Sequence, residues 1–221
     1  MTHTVRIQQL SMITHDVRKI VVSKPEGYAF EPGQATDVAI NKPGWQDEKR
    51  PFTFTCLPSA DTLEFSVKIY PDHDGVTEQI GKLEEGDELL IGDPWGSIAY
   101  KGPGTFIAGG AGITPFIAIL RQLRADNQLD GNRLLFGNKL EKDIILREEF
   151  EGMRDLDVEF ALSAEERPGL LHGRFNEISL RHLIDDVTQN FYVCGPPAMV
   201  EDVNESLEKM GAETTNLVFE E

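Results

Sequence analysis

Two hydrophobic periodicities divide this chain, and the change from one to the other constrains its fold more than any single motif. Up to about Tyr100 the apolar residues recur at every second position in short runs. In LEFSVKI, Leu63, Phe65, Val67 and Ile69 alternate with polar neighbours, which is the pattern of a strand with one buried face. The segments 5–13, 17–23, 35–40, 51–57, 63–69 and 87–93 read the same way, with the turn-rich stretches 24–33, 41–50 and 57–61 between them and one helical piece at 75–83. About six such strands predict a small antiparallel β barrel. After YKGPGTF the texture changes. Strands at 105–110, 132–138, 157–163, 190–195 and 216–220 alternate with helices at 114–126, 142–153, 177–184 and 197–210. That alternation predicts a parallel sheet covered by helices on both faces. The expected architecture is therefore two-domain: an antiparallel β barrel over residues 1–100 and an α/β parallel sheet over 101–221, joined around Lys101–Gly104. No internal repeat or low-complexity tract is visible.

At 221 residues the chain has room for two domains of ordinary size. With 40% hydrophobic and 27% charged residues it has the composition of a soluble globular protein. The N-terminal MTHTVRIQQL lacks the apolar core of a signal peptide, and no apolar run is long enough for membrane insertion. The cytoplasm is the expected location. Cys56 and Cys194, far apart, give neither a disulfide framework nor a metal pattern. Two cysteines also fall short of the four thiolates an iron–sulfur cluster normally takes. A net charge of −17 excludes nucleic acid as a partner, since phosphate binding needs clustered Lys and Arg.

Three short motifs carry the candidate chemistry. In KRPFTFTCLP an arginine opens a strand in which Phe52 and Phe54 share one face and Thr53 and Thr55 the other. In FIAGGAGITPF a buried strand runs into Gly109, Gly110 and Gly112, then Ile113, then a helix with Thr114 at its cap and Pro115 in its first turn. Glycines let backbone approach a ligand, and a helix start offers free N–H groups to a phosphate. The turn lacks the G-x-G-x-x-G spacing of the dinucleotide fingerprint, so it reads equally as a tight strand-to-helix turn. In YVCGPPAM, Cys194 ends a strand and Gly195–Pro196–Pro197 force a sharp exit. Ligands of open α/β sheets bind at such carboxyl ends, although a lone thiol there is also a common small core residue.

RPFTF, GGAGITP and CGPPAM, in this order and at these separations, resemble the ferredoxin–NADP⁺ reductase superfamily, and EPGQ at 31–34 and DPWGS at 93–97 are similar to that family's strand connections. The resemblance covers nearly the whole chain. It implies an N-terminal flavin-binding barrel, a C-terminal nicotinamide-binding domain, and hydride transfer from NAD(P)H to bound FAD, with FMN as the second choice. The family's Arg-x-Tyr-Ser pattern falls on Arg50, Pro51, Phe52 and Thr53. It implies that Arg50 pairs with the flavin pyrophosphate, a role suited to a planar guanidinium. Phe52 would pack on the isoalloxazine, and the Thr53 hydroxyl would bond flavin N5. Phe52 departs from the usual tyrosine and forgoes one hydrogen bond, worth about 1 kcal/mol. Lys68, Ile69 and Tyr70 would flank the flavin, and Gly75, Val76 and Thr77 would offer donors at a helix start. Thr53 and Cys194 would stand nearest the transferred hydride, and Phe219, with Glu220, would lie beside the flavin.

A 2′-phosphate would need Arg or Lys at the ends of the second and third α/β strands. There the chain has Lys139, then Ala164, Glu165 and Glu166 before Arg167, and phosphate-binding relatives often carry arginine at the Ala164 position. This favours NADH over NADPH. By the resemblance the electron acceptor would be a separate ferredoxin or flavodoxin; against the net charge of −17 the few basic residues that could form a docking rim near the flavin site are Lys49, Arg50 and Lys68, with Arg18, Lys19 and Lys24. Two alternatives remain open: a flavin-binding electron-transfer subunit of a larger complex, and a flavin-free binding module of the same fold.

Overall fold

The computed structural model describes residues 1–72, 74–96, 98–213 and 217–219. The chain forms two compact units, Met1–Gly96 with Thr114–Gln122, and Ser97–Ile113 with Leu123–Glu221.

The first unit is a nearly closed antiparallel barrel. Its strands are β1 (His3–Met12), β2 (Val17–Ser23), β3 (Ala35–Ile40), β4 (Arg50–Thr53), β5 (Thr62–Lys68) and β6 (Glu88–Ile91), with helix α1 (Val76–Gly81) between β5 and β6. Their order in the sheet is β4-β3-β6-β1-β2-β5. The alternation seen in 63–69 sets the register. Leu63 and Phe65 pair with Val22 and Ile20, and all four are buried to 1% or less. Phe54 lies at the centre of this core, stacked on Phe30 at 4.3 Å and 5.3 Å from Phe65. Truncating such a ring to alanine costs about 3–5 kcal/mol.

The expected strand over 51–57 is divided between two partners. Residues 50–53 pair with β3, and the chain then crosses to β5 through an isolated Phe54–Phe65 bridge and the Thr55 N–H to Glu64 carbonyl bond of 2.8 Å. These two contacts close the barrel's seam. The residue after EPGQ, Ala35, pairs with both Thr53 and Trp95 of DPWG, so the two strand connections brace the strand that carries Thr53. Ser97 of that motif lies outside the described residues.

The second unit is built on the parallel sheet β10-β9-β8-β7-β11-β12. Its strands are β7 (Gly104–Gly109), β8 (Asn132–Asn138), β9 (Leu156–Leu162), β10 (Leu171–His172), β11 (Asn190–Cys194) and β12 (Leu217–Phe219). Its helices are α3 (Arg147–Glu151), α4 (Glu177–Leu183) and α5 (Pro197–Met210); helix α2 (Thr114–Ala125), which follows β7 in the chain, belongs through residues 114–122 to the first unit. Every residue of β7 is buried, as expected for a parallel strand covered on both faces. Helix α2 is covered nearly all round, because Phe116, Ile117, Ala118, Ile119 and Leu120 are each exposed by 1% or less. Its residues 114–122 cluster with the barrel.

Two expectations in this unit change. The helix predicted over 142–153 shrinks to α3, because Leu146 adopts a left-handed conformation (φ 54°) and the preceding Ile144 and Ile145 sink into the core. The two-residue strand β10 was too short to give a periodic signal.

Candidate functional site

In the barrel the candidate residues gather where the seam is open. β4 and β5 run antiparallel about the Phe54–Phe65 bridge, so Arg50–Thr53 and Lys68–Tyr70 extend from it toward the same end. Beyond the bridge no strand pairing joins β4 to β5 among the described residues. Arg50 is half exposed, and among the described residues its guanidinium meets only its own neighbourhood, donating to the Lys49 carbonyl at 2.6 Å and lying 3.9 Å from Glu48. Phe52 is half-buried and packs against the barrel core. Thr53 is partly exposed, and its hydroxyl makes no hydrogen bond to another described residue. Two polar groups at the open seam thus make no bond to a distant part of the chain among the described residues.

Other predicted neighbours are occupied by the chain itself. The Lys68 ammonium pairs with Asp16 at 2.8 Å. Partial burial pushes the Asp16 carboxyl up, but bonds from Lys68 and the Thr14 hydroxyl outweigh it and hold the group below its ordinary value. The stability this pair gives is therefore present above the unfolded carboxylate value and is lost as pH falls through the depressed one. Ile69 packs on the core and Tyr70 is exposed. Helix α1 has Gly75 at its N-cap in extended conformation and Val76 buried. Thr77 follows in its first turn, and the Glu78 carboxylate accepts the Asp74 N–H at 3.0 Å.

In the second unit, β7 lies between β8 on one side and β11 on the other, so the order of connection reverses between β7 and β11. The two glycine motifs end these two strands. Their glycines serve two different needs. A Cβ on Gly112 would lie 2.4 Å from the Cys194 carbonyl oxygen and 2.6 Å from the Gly195 Cα. One on Gly109 would lie 2.2 Å from Met199 Sδ, and one on Gly195 would lie 3.2 Å from the Gly109 nitrogen. These three glycines let one turn pack on the other, which is a protein–protein approach rather than the approach to a ligand that their spacing suggested. Gly110 differs: it is left-handed at φ +52°, and the space where its Cβ would stand is open. Ile113 is buried, and Thr114 and Pro115 begin α2 directly after the turn. Cys194 is partly exposed beside Gly112, and Pro196 caps α5. The turn thus leaves an open face at the switch point of the sheet, where α/β proteins bind nucleotides.

At the ends of β8 and β9 the charges form a closed network. Arg167 pairs with both Glu141 and Glu165. Arg147 pairs with Glu141 at 2.6 Å and Glu151 at 2.8 Å. Its bond to Glu151, joined by that to Glu141, raises the Arg147 pKa above its ordinary value against the opposing effect of partial burial. Glu165 also accepts the Glu141 N–H at 2.8 Å. The loop after β9 is tied to that after β8 by the Ala164 N–H to Lys139 carbonyl bond of 3.0 Å.

The structure therefore brings Arg50, Phe52 and Thr53 together at the seam, and the glycine turn and Cys194 together at the sheet's switch point. Only the backbone of Phe219 is described, paired beside Val193; Glu220 lies outside the described residues. The expected basic rim is largely spent inside the barrel. Arg18 donates to the carbonyls of Ile80, Gly81 and Leu83, and Lys24 to those of Pro58 and Ala60. Sequence reasoning passed over Arg121 and Glu64, which are joined at 2.7 Å. The available signal was a charged residue following five consecutive apolar ones in TPFIAILRQLRA.

Comparison with known proteins adds four findings. A family model for the oxidoreductase NAD-binding domain matches residues 106–205. The reductase component of propane 2-monooxygenase from Mycolicibacterium smegmatis is 29% identical over 213 residues, covering 89% of this chain and 60% of that protein. The ferredoxin–NAD(P)(+) reductase component of the naphthalene 1,2-dioxygenase/salicylate 5-hydroxylase systems of a Ralstonia species is 26% identical over 207 residues, covering 90% and 62%. The chain thus spans about three-fifths of the length of these relatives. Among solved structures, a ferredoxin NADP⁺ reductase from Neisseria gonorrhoeae with bound FAD and NADP superposes with a TM-score of 0.88 at 20% identity, covering 99% of this chain and 98% of that one.

Proposed function

We propose that the chain is a member of the ferredoxin–NADP⁺ reductase superfamily of flavin- and nicotinamide-binding oxidoreductases, supported by its NAD-binding-domain match, its reductase relatives and its fold, and that it is an NADH-dependent flavoprotein reductase that holds FAD on its barrel and passes electrons to a separate acceptor. The observation that carries this reading is the open end of the seam, where Arg50 and Thr53 hold polar groups that the chain leaves available. When bound, the flavin would supply the two-electron chemistry, as acceptor of a hydride from the reduced nicotinamide.

The chain's own residues place and hold these partners. Arg50 neutralises the flavin pyrophosphate with its planar donors. Phe52 would offer a flat apolar wall to the ring system, and the Thr53 hydroxyl would supply a hydrogen-bonding group beside it. Lys68 supports the site at second hand, fixing the end of β5 through Asp16. At the switch point the Gly110–Ile113 turn, with Gly110 open on its outer side, and the start of α2 would receive the nucleotide pyrophosphate. Cys194 lines the nicotinamide side of that turn. The Glu141–Glu165 network supports NADH over NADPH, because it engages both Arg147 and Arg167 and presents carboxylates to ribose hydroxyls.

The acceptor is proposed to be a ferredoxin or flavodoxin. With Arg18, Lys24 and Lys68 committed internally, docking rests on Lys19, Lys49 and Arg50 against a net charge of −17. Anaerobic mixing with reduced nucleotides tests the donor side. NADH should bleach the bound flavin at a concentration about tenfold below that needed for NADPH, the scale of one charge-assisted contact. Replacing Glu141 and Glu165 together by glutamine should narrow that gap by releasing Arg167. Equal use of the two nucleotides by the unmodified protein would reject the coenzyme assignment.

A further inference from the structure

Helix α2 begins at the nucleotide turn and is almost wholly enclosed, yet it carries Arg121 within its length. A charge in such a place is costly unless it is paired and hydrogen-bonded. Arg121 Nη1 donates to the Thr55 carbonyl at 2.6 Å and to Glu64 Oε1 at 2.7 Å. The same Glu64 oxygen accepts the Thr55 hydroxyl at 2.9 Å, and the Glu64 carbonyl accepts the Thr55 N–H at 2.8 Å. The side chains of Arg121 and Glu64 are only 22% and 17% exposed, and Thr55 is fully buried. The next residue, Cys56, is also buried, and its sulfur accepts the Glu64 N–H at 3.3 Å.

An ion pair of this kind adds little stability over apolar residues of the same volume. What it does is fix one element against another, since an arginine bonded to a carbonyl and a carboxylate at once tolerates little sliding. The elements it joins both carry candidate site residues. Thr55 lies two residues beyond Thr53, on the same side of an extended chain. Arg121 lies seven residues after Thr114, about 10 Å along the helix from the start that receives the nucleotide. Residues 114–122 and the barrel form one compact unit, so the clamp acts within that unit.

We infer that Arg121 and Glu64 are positioning residues for the hydride step: their clamp on Thr55 sets the start of helix α2 against the strand that presents Thr53. This rests on the function proposed above. Neither residue touches cofactor or substrate; both act through Thr55 and the helix.

The test compares Arg121→Met, Arg121→Lys and Glu64→Gln with the unmodified chain, each loaded with FAD. Flavin content, NAD⁺ affinity, melting temperature, and the limiting rate of flavin reduction at saturating NADH in anaerobic stopped flow are measured for each. In Arg121→Met the limiting rate should fall about 10- to 100-fold, the cost of a misplacement near 1 Å, with NAD⁺ affinity within about twofold of the unmodified protein. The long-wavelength charge-transfer absorbance of the mixed complex should weaken in parallel. Arg121→Lys should recover part of the rate, because an ammonium can keep one of the two bonds. Glu64→Gln conserves shape and reads the same effect if the methionine variant fails to fold. Limiting rates within twofold of the unmodified protein, whatever the melting temperatures do, would overturn the inference. So would a loss of rate that only follows loss of flavin. An unmodified protein that NADH cannot reduce would overturn the proposed function and the clamp together, whereas fast reduction in the unmodified protein and variants alike would overturn the clamp alone.

Discussion

Replacing Gly112 by alanine is expected to destabilise the C-terminal unit by about 3 kcal/mol or more, the upper end of the range for overpacking. The added methyl would stand 2.4 Å from the Cys194 carbonyl oxygen, 2.5 Å from its carbon and 2.6 Å from the Gly195 Cα. All three are backbone atoms at the end of a central strand, so none can swing aside as a flexible side chain would. A thermal melt should show the midpoint lowered by roughly 6–12 °C for a chain of this size. Gly110→Ala is the control on the same turn. Its methyl meets open space and pays only for the left-handed backbone, about 1 kcal/mol. If the two variants melted together, the tight packing of the Gly112 turn on the Cys194 turn would be wrong.

Replacing Thr53 by alanine should slow reduction of the bound flavin by NADH about tenfold, the kinetic equivalent of one hydrogen bond of roughly 1.4 kcal/mol. The Thr53 hydroxyl makes no bond to other described residues, so its removal leaves no orphaned partner inside the protein. Flavin content should stay near that of the unmodified chain, because Arg50 and the barrel core are untouched. A single-turnover rate equal to that of the unmodified protein would show that Thr53 only completes the strand.

The architecture was legible because each unit keeps one hydrophobic period. Leu63, Phe65 and Val67 alternate and line one core, and β7 is apolar throughout and covered on both faces. What the sequence hid were departures from local pattern caused by distant contacts. PFTFTCL is a uniform alternation, but the Phe54–Phe65 bridge divides it between two neighbours. Ile144 and Ile145 continue a helical pattern until Leu146 turns left-handed. In the site, the arginine, the threonine and the glycine turns could be named from motifs. The work of each glycine could not, because Gly109 and Gly112 answer to Met199 and Cys194, more than 80 residues away in sequence. Lys68 and Arg18 looked like surface cations until Asp16 and the carbonyls of residues 80–83 were seen to hold them.

Bound FAD is the property on which every role assigned to the barrel depends. The 221-residue chain, purified or refolded with FAD present and passed over a desalting column, should be yellow and carry about one FAD per chain. Acid release followed by chromatography against FAD and FMN standards identifies what is bound, and Arg50→Ala should lower the bound fraction by removing the guanidinium that meets the pyrophosphate. A bound flavin that runs with the FAD standard is the predicted result. A colourless protein that takes up neither FAD nor FMN after reconstitution would contradict the account, because the open seam at Arg50 and Thr53 would then not be a flavin site.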